Sequence, residues 1–206
     1  VCTIEKPILI TQAQRFVRGG HPEYKKQDTY QMNIFFLSWD TNKCAELYCD
    51  QHVIKILLEI VQMLYTAWHV CGDPDMLLQA PPRKDGTSGY KPVSNRNHAM
   101  VMWVRSSEYN YVWTSRLGMS LAIEFNKRFN KIHSCSPHIM WLSMNIPPCL
   151  TEVKNLNAHY SLTGFPSWVT SVPQCMPEQY RDTDLIIANY NYYRGVKLRF
   201  ARWKHR

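Results

Sequence analysis

The stretch CDQHVIKILLEIVQMLYTAWH, Cys49 to His69, decides the fold. Its polar residues His52, Lys55, Glu59, Gln62, Thr66 and His69 recur at intervals of three, four, three, four and three. At about 100° per residue these six fall within a wedge roughly 100° wide, which Gln51 joins. Val53, Ile54, Ile56, Leu57, Leu58, Ile60, Val61, Met63, Leu64, Tyr65, Ala67 and Trp68 fill the remaining arc. A helix lying on a protein surface has the reverse proportion, a narrow apolar stripe and a broad polar face. The pattern therefore predicts a helix over about residues 50–70 that is buried on most sides, its polar strip bordering a groove or pocket. On one reading the strip simply meets water. On the other it is the floor of a cleft with Glu59 at its middle. Apolar walls such as Ile56 and Met63 would raise the carboxyl pKa there, and Lys55 and His52 would oppose the rise by stabilising the anion.

Working outward, Gly72-Asp73-Pro74 ends this helix, and Thr41 or Asn42 can cap a short helix over 43–48 before it. MNIFFLSWD, Met32 to Asp40, is apolar and compact, like the first buried segment of a domain. Residues 1–31 end in a polar, glycine- and proline-broken stretch and read as an N-terminal extension, with Met32 as an alternative start and 32–206 as one helical domain. Residues 80–97 have loop chemistry with basic side chains. Ser106 or Ser107 can cap a helix over 107–131 whose stripe is Tyr109, Val112, Trp113, Leu117, Leu121, Phe125 and Phe129. Residues 134–180, rich in proline, suggest irregular structure with short helical turns. A last helix should begin near Asp182 or Asp184 and run towards Arg202. The period is helical throughout, so the expected fold class is all-α.

The bulk composition narrows the function. Net charge is +8 and the pI about 9.1, and the excess concentrates in RGVKLRFARWKHR, residues 194–206, which holds no acid. Such an end suits a polyanion or, more simply, keeps a tail solvated. Seven cysteines with no CxxC point to a reducing, intracellular compartment rather than a secreted disulfide framework. HVC at 69–71 and CSPH at 135–138 lack the paired spacing of structural zinc, so no metal site is expected. No apolar run reaches the length of a membrane span, and no signal peptide is evident.

CDQHVIKILLE resembles the active-site helix of the phage pyrimidine-dimer DNA glycosylases of the endonuclease V type. That helix opens Asp-Gln-His and carries the catalytic Glu seven residues after the His; the matching residues are Asp50, Gln51, His52 and Glu59. His98, Trp103 and the 107–131 helix with Lys127, Arg128 and Phe129 resemble a second block of that family. NYNYYRG, with Tyr190, Tyr192, Tyr193 and Gly195, resembles its C-terminal aromatic cluster. The blocks keep the family's order over residues 45–200. The resemblance implies a compact helical enzyme without metal or cofactor that acts on double-stranded DNA. In that family an N-terminal α-amine attacks the sugar of the damaged nucleotide and forms a Schiff base, and the Glu assists. The position equivalent to the family's nucleophile is Asn33, behind Met32, and Lys55, one turn from Glu59, is the alternative amine. The family's basic residues flanking the Glu are replaced here by Leu58 and Gln62.

Catalytic candidates are therefore Glu59, His52, Asn33 and Lys55. Residues expected to face nucleic acid are Gln51, Arg96, His98, Arg105, Lys127, Arg128, Tyr192, Tyr193, Arg194, Lys197 and Arg202, since arginine interleaved with aromatics serves both phosphate contact and base stacking. The rival readings are a non-catalytic nucleic-acid-binding protein on the same scaffold, and a viral accessory or structural protein, in host cytoplasm or nucleus, whose basic end faces nucleic acid.

Overall fold

The computed structural model describes residues 32–150 and 170–204, and within them the fold is all-α, with no strand. The expected extension over 1–31, and part of the proline-rich stretch, lie outside the described residues. Residues from Gln31 onward form one compact unit. Its helices are α1 (Thr41–Leu47), α2 (Asp50–Cys71), α3 (Pro74–Leu78), α4 (Ala99–Val104), α5 (Glu108–Phe129), α6 (Ser136–Met144) and α7 (Leu185–Tyr192), the last continuing into a π-helical turn at Tyr193–Lys197.

Local chemistry sets the boundaries. Asp40, Asp73, Ser107 and Asp184 cap α1, α3, α5 and α7, each side chain accepting a backbone N–H of the first turn. Asp40 does what was expected of Thr41 or Asn42. Helix α5 ends on Asn130 in the left-handed region, φ 50°. The α4 helix was not evident from sequence, because six residues are too few to show a period.

Helix α2 is the core element and packs along α5. By length and composition it meets the criterion for crossing a membrane, yet 67% of its most apolar window is buried inside the fold. Ile56, Leu57, Ile60, Val61, Met63 and Leu64 are all fully buried. The two long helices come close at Gly118 of α5. A Cβ there would sit 2.5 Å from Ile139 Cδ1 of α6 and 3.1 Å from Ile60 Cγ2 of α2. The glycine is thus demanded by backbone approach, with three helices meeting at it.

The α5 stripe is more polar than expected. Asn110, Thr114, Ser120, Glu124 and Arg128 are buried beside Tyr111, Trp113, Leu117 and Leu121. Arg128 was expected to face nucleic acid and does not. Its side chain is 3% exposed; Nε donates to Glu124 (2.7 Å), Nη1 to Asp50 (3.1 Å) and to the Tyr48 carbonyl (2.7 Å), and Nη2 to the carbonyls of Ala45 and Glu46. Those carbonyls lie at the end of α1 and just beyond it, where helix geometry leaves acceptors unpaired. The cysteines depart from expectation too: Cys71 and Cys149 are joined by a disulfide, which ties the end of α2 to the segment after α6.

Gly118→Ala should lower stability by about 1–3 kcal/mol through overpacking against Ile139. The check is the urea midpoint at unchanged m-value; a midpoint equal to the parent's would mean the three helices are not in contact there.

Candidate active site

The polar strip of α2 divides into two files of heptad spacing. His52, Glu59 and Thr66 are buried, while Lys55 and His69 are exposed and Gln62 half-exposed. Seven residues turn an α-helix only about 20° short of two full turns, so each file runs nearly straight along the axis. Residues from two separate segments cover the first file. Phe35 stacks on His52 (5.0 Å between centroids, 21°), Asn33 lies beside Glu59, and the Val93 N–H donates to Thr66 Oγ1 (3.0 Å). A groove of about 430 Å³ opens beside the strip, with Met32, Leu58, Gln62, Tyr90 and Lys91 among its walls.

Glu59 is 9% exposed. Oε1 pairs with Lys55 Nζ at 3.1 Å, and Oε2 is buried with no hydrogen-bond partner among the described residues. Burial pushes the carboxyl pKa up; the Lys55 ammonium, the neighbouring Asn33 N–H and the charge of Lys197 pull it back, and burial prevails. The Asn33 N–H is near enough to favour the anion without closing a bond to Oε2. The Asn33 side chain, 6% exposed, is anchored by Nδ2 donating to the Cys175 carbonyl (3.1 Å).

His52 corrects one expectation. It does not stabilise the Glu59 anion as a cation, because burial and the charges of Lys197 and Lys55 push its pKa down to about 4. The Tyr193 hydroxyl accepts the Cys49 N–H (2.8 Å) and lies 2.8 Å from His52 Nδ1. The hydroxyl thus holds the neutral ring by its Nδ1 edge. Tyr193 was expected to stack on bases. It is 4% exposed, and its ring packs among Tyr48, His52 and Phe35. Tyr192 is buried likewise, against Phe35 and Tyr180. The last helix needs a buried face, and these two rings supply it.

Lys197, expected as a phosphate contact, lies half-buried beside the centre. Its Nζ lies 5.1 Å from the Tyr192 ring centroid and 6.0 Å from that of Phe35, and its charge reaches both His52 and Glu59. A positive charge thus reaches Glu59 from a residue 138 positions away in the sequence. The sequence signal was the spacing of Tyr193 and Lys197 within one turn.

The other candidates lie around this centre. Gln51, Lys127, Arg194 and Arg202 are exposed; Lys127 pairs loosely with Glu124 (3.6 Å) and Arg194 lies over Tyr190. His98 caps α4, its Nδ1 accepting the Met100 N–H (3.3 Å). Arg105 donates to the carbonyl of exposed Arg96 (2.6 Å), bracing that loop. The basic end is not a free tail up to residue 204. The Arg202 carbonyl accepts the Asp50 N–H, the Lys204 N–H donates to the Asp50 carboxylate, and the Trp203 indole donates to the Leu47 carbonyl.

Because the folded ring resists protonation to about pH 4, an unfolded histidine, with pKa near 6.5, takes up a proton that the fold refuses. Stability should therefore be full above pH 6.5 and fall as the pH drops towards 4. His98, His133 and His138 are also shifted down by burial and add to the fall. His52→Gln should flatten it in part, measured as urea midpoint against pH, and the His52 ring resonances should titrate near 4 in the parent. Titration near 6.5 would show the ring to be open to water. No protein-family profile, curated protein or solved structure matches the chain.

Proposed function

We propose that the protein is a DNA glycosylase with lyase activity, acting on a pyrimidine dimer or a related damaged or modified base. The observation that carries the reading is the placement of the Asn33 nitrogen beside a buried carboxylate, Glu59, one oxygen of which has no partner among the described residues. In the chain as it stands that nitrogen is a peptide amide. The reading therefore requires a form that begins at Asn33. Its amine, of a class with pKa about 7.7–8.0, is in part neutral at pH 7 and so nucleophilic.

The chemistry follows from this pair. The amine attacks C1′ of the flipped-out nucleotide, the bond from C1′ to the base breaks, and the base leaves with a proton. Ring opening gives the protonated imine. Loss of a proton from C2′ then expels the 3′ phosphate and cuts the strand. Glu59 stabilises the cationic sugar and carries the protons, and a carboxyl whose pKa is raised by burial suits both giving and taking one. The neutral His52, held by Tyr193 and stacked on Phe35, fixes the 33–36 segment. Lys55 is the weaker nucleophile, since its ammonium is engaged with Glu59 at 3.1 Å. Gln51, Arg194 and Arg202, exposed around the centre, are suited to the DNA backbone.

Glu59→Gln removes the charge and keeps the shape. It should bind duplex DNA within about twofold of the parent and lose strand cleavage by about 10²–10⁴-fold. Its fold should be at least as stable as the parent's at pH 7, since an amide is cheaper to bury than a carboxylate. Undiminished cleavage would end the assignment.

Protein made to start at Asn33, reduced with borohydride on abasic-site DNA and digested, should carry the crosslink on Asn33. A crosslink on Lys55 would move the nucleophile. No crosslink from either form would favour the non-catalytic reading, a nucleic-acid-binding protein on this scaffold.

A further inference from the structure

A second cavity, of about 290 Å³, lies beyond the groove and shares Arg83 and Tyr90 with it. Lys84, Asp85, Ser134 and His138 complete its lining with Pro82. Two observations mark it as built. First, the basic side chains come from a tight turn rather than a slack loop. The Asp85 carboxylate accepts Thr87 N–H and Oγ1–H, the Arg83 N–H donates to the Thr87 carbonyl, and Gly86 takes φ 79°. Gly89, at φ 65°, lies so close to the Tyr65 ring that a Cβ would sit 2.7 Å from it. This seats the turn on α2. Second, the far wall is a buried imidazole. His138 is 2% exposed, with Nδ1 held by the Tyr65 hydroxyl (2.9 Å) and its ring edge-on to Tyr90 (4.8 Å).

The electrostatics are one-sided. Arg83 lies over the Tyr90 ring (5.2 Å), and its charge helps burial to keep His138 neutral. Asp85 offsets part of one cation through its 3.3 Å pair with Arg83. Arg83 and Lys84 remain in excess, and Lys91 stands in the adjoining groove. A guanidinium, an ammonium, a serine hydroxyl and an imidazole around a water-accessible space match the oxygens of a phosphate group. Tyr65 lies six residues beyond Glu59, so the pocket is offset by roughly 9 Å along α2, a few nucleotide steps.

We propose that this pocket binds a phosphate group, and that the group belongs to a nucleic-acid strand lying along the groove from Glu59. The strand as its source rests on the function proposed above; the phosphate chemistry does not.

The test has two arms, both with the full chain. In the first, pyrophosphate is titrated and the His138 and Tyr90 ring resonances are followed. A saturable shift is expected, weakened at least tenfold by Lys84→Ala and by Arg83→Gln, and unaffected by Lys43→Ala, which removes a surface cation outside the pocket. Neither pocket side chain is in the core, so folding is not at risk. No saturable shift, or equal weakening by Lys43→Ala, overturns the pocket. In the second arm, duplex binding is measured against salt. Lys84→Ala should reduce the slope of log K on log salt by about 0.9, the value of one phosphate contact. An unchanged slope with pyrophosphate binding intact overturns the strand as the source, leaving a free phosphate or nucleotide. Failure of borohydride trapping with both arms positive would overturn the glycosylase reading and leave this inference standing.

Discussion

A guanidinium buried where three helix ends meet fixes the geometry of the site. Taking an arginine out of water is costly unless every donor finds an acceptor, and Arg128 achieves this with two carboxylates and three carbonyls. The arrangement is reciprocal, because carbonyls at the end of a helix lack the N–H groups of a following turn. It sets the corner between α1 and α2, and hence the axial position of α2. Asp50 then extends the constraint by receiving the Lys204 N–H, so that the last described residues are locked to the same corner. His52 and Glu59 stand about half a turn and about two and a half turns beyond Asp50, on a helix whose start cannot slide.

Much of this frame was legible in the residues. The proportion of polar to apolar positions on Cys49–His69 announced a buried helix with one polar strip, and Gly72 and Ser107 marked ends that the fold respects. What the sequence could not show was which half of the strip would be covered. That depends on segments from 17 to 141 residues away, whose approach leaves no local period. Arg128 and Tyr193 were misplaced for the same reason. A basic residue near a helix end and a tyrosine in a basic stretch look solvent-bound until the elements above them are known. The Arg83–Lys84 turn carried a signal, Asp-Gly within a polar run, but not its seat on Tyr65.

The centre also illustrates a local conflict between stability and chemistry. Glu59 leaves a buried oxygen without a partner among the described residues, a state that folded proteins mostly avoid. The aromatic layer of Phe35, His52 and Tyr193 is neutral, and the other such acceptor among the described residues is the Asn189 side-chain oxygen on α7. Such an exception within an otherwise satisfied neighbourhood is the form in which function is commonly written into a core.

The covering of His52 and Glu59 by both ends of the unit has a kinetic meaning. Tyr193 meets His52 across 141 residues, and Trp203 meets Leu47 across 156. Closing such distant contacts is the slow part of folding, whereas α2 and α5 can form early from near neighbours. A chain still emerging from the ribosome can therefore have its helical frame while Lys197 and Tyr193 have yet to be made. The centre is completed last, so that a nascent or truncated chain has the helical frame without the contacts that enclose His52 and Glu59.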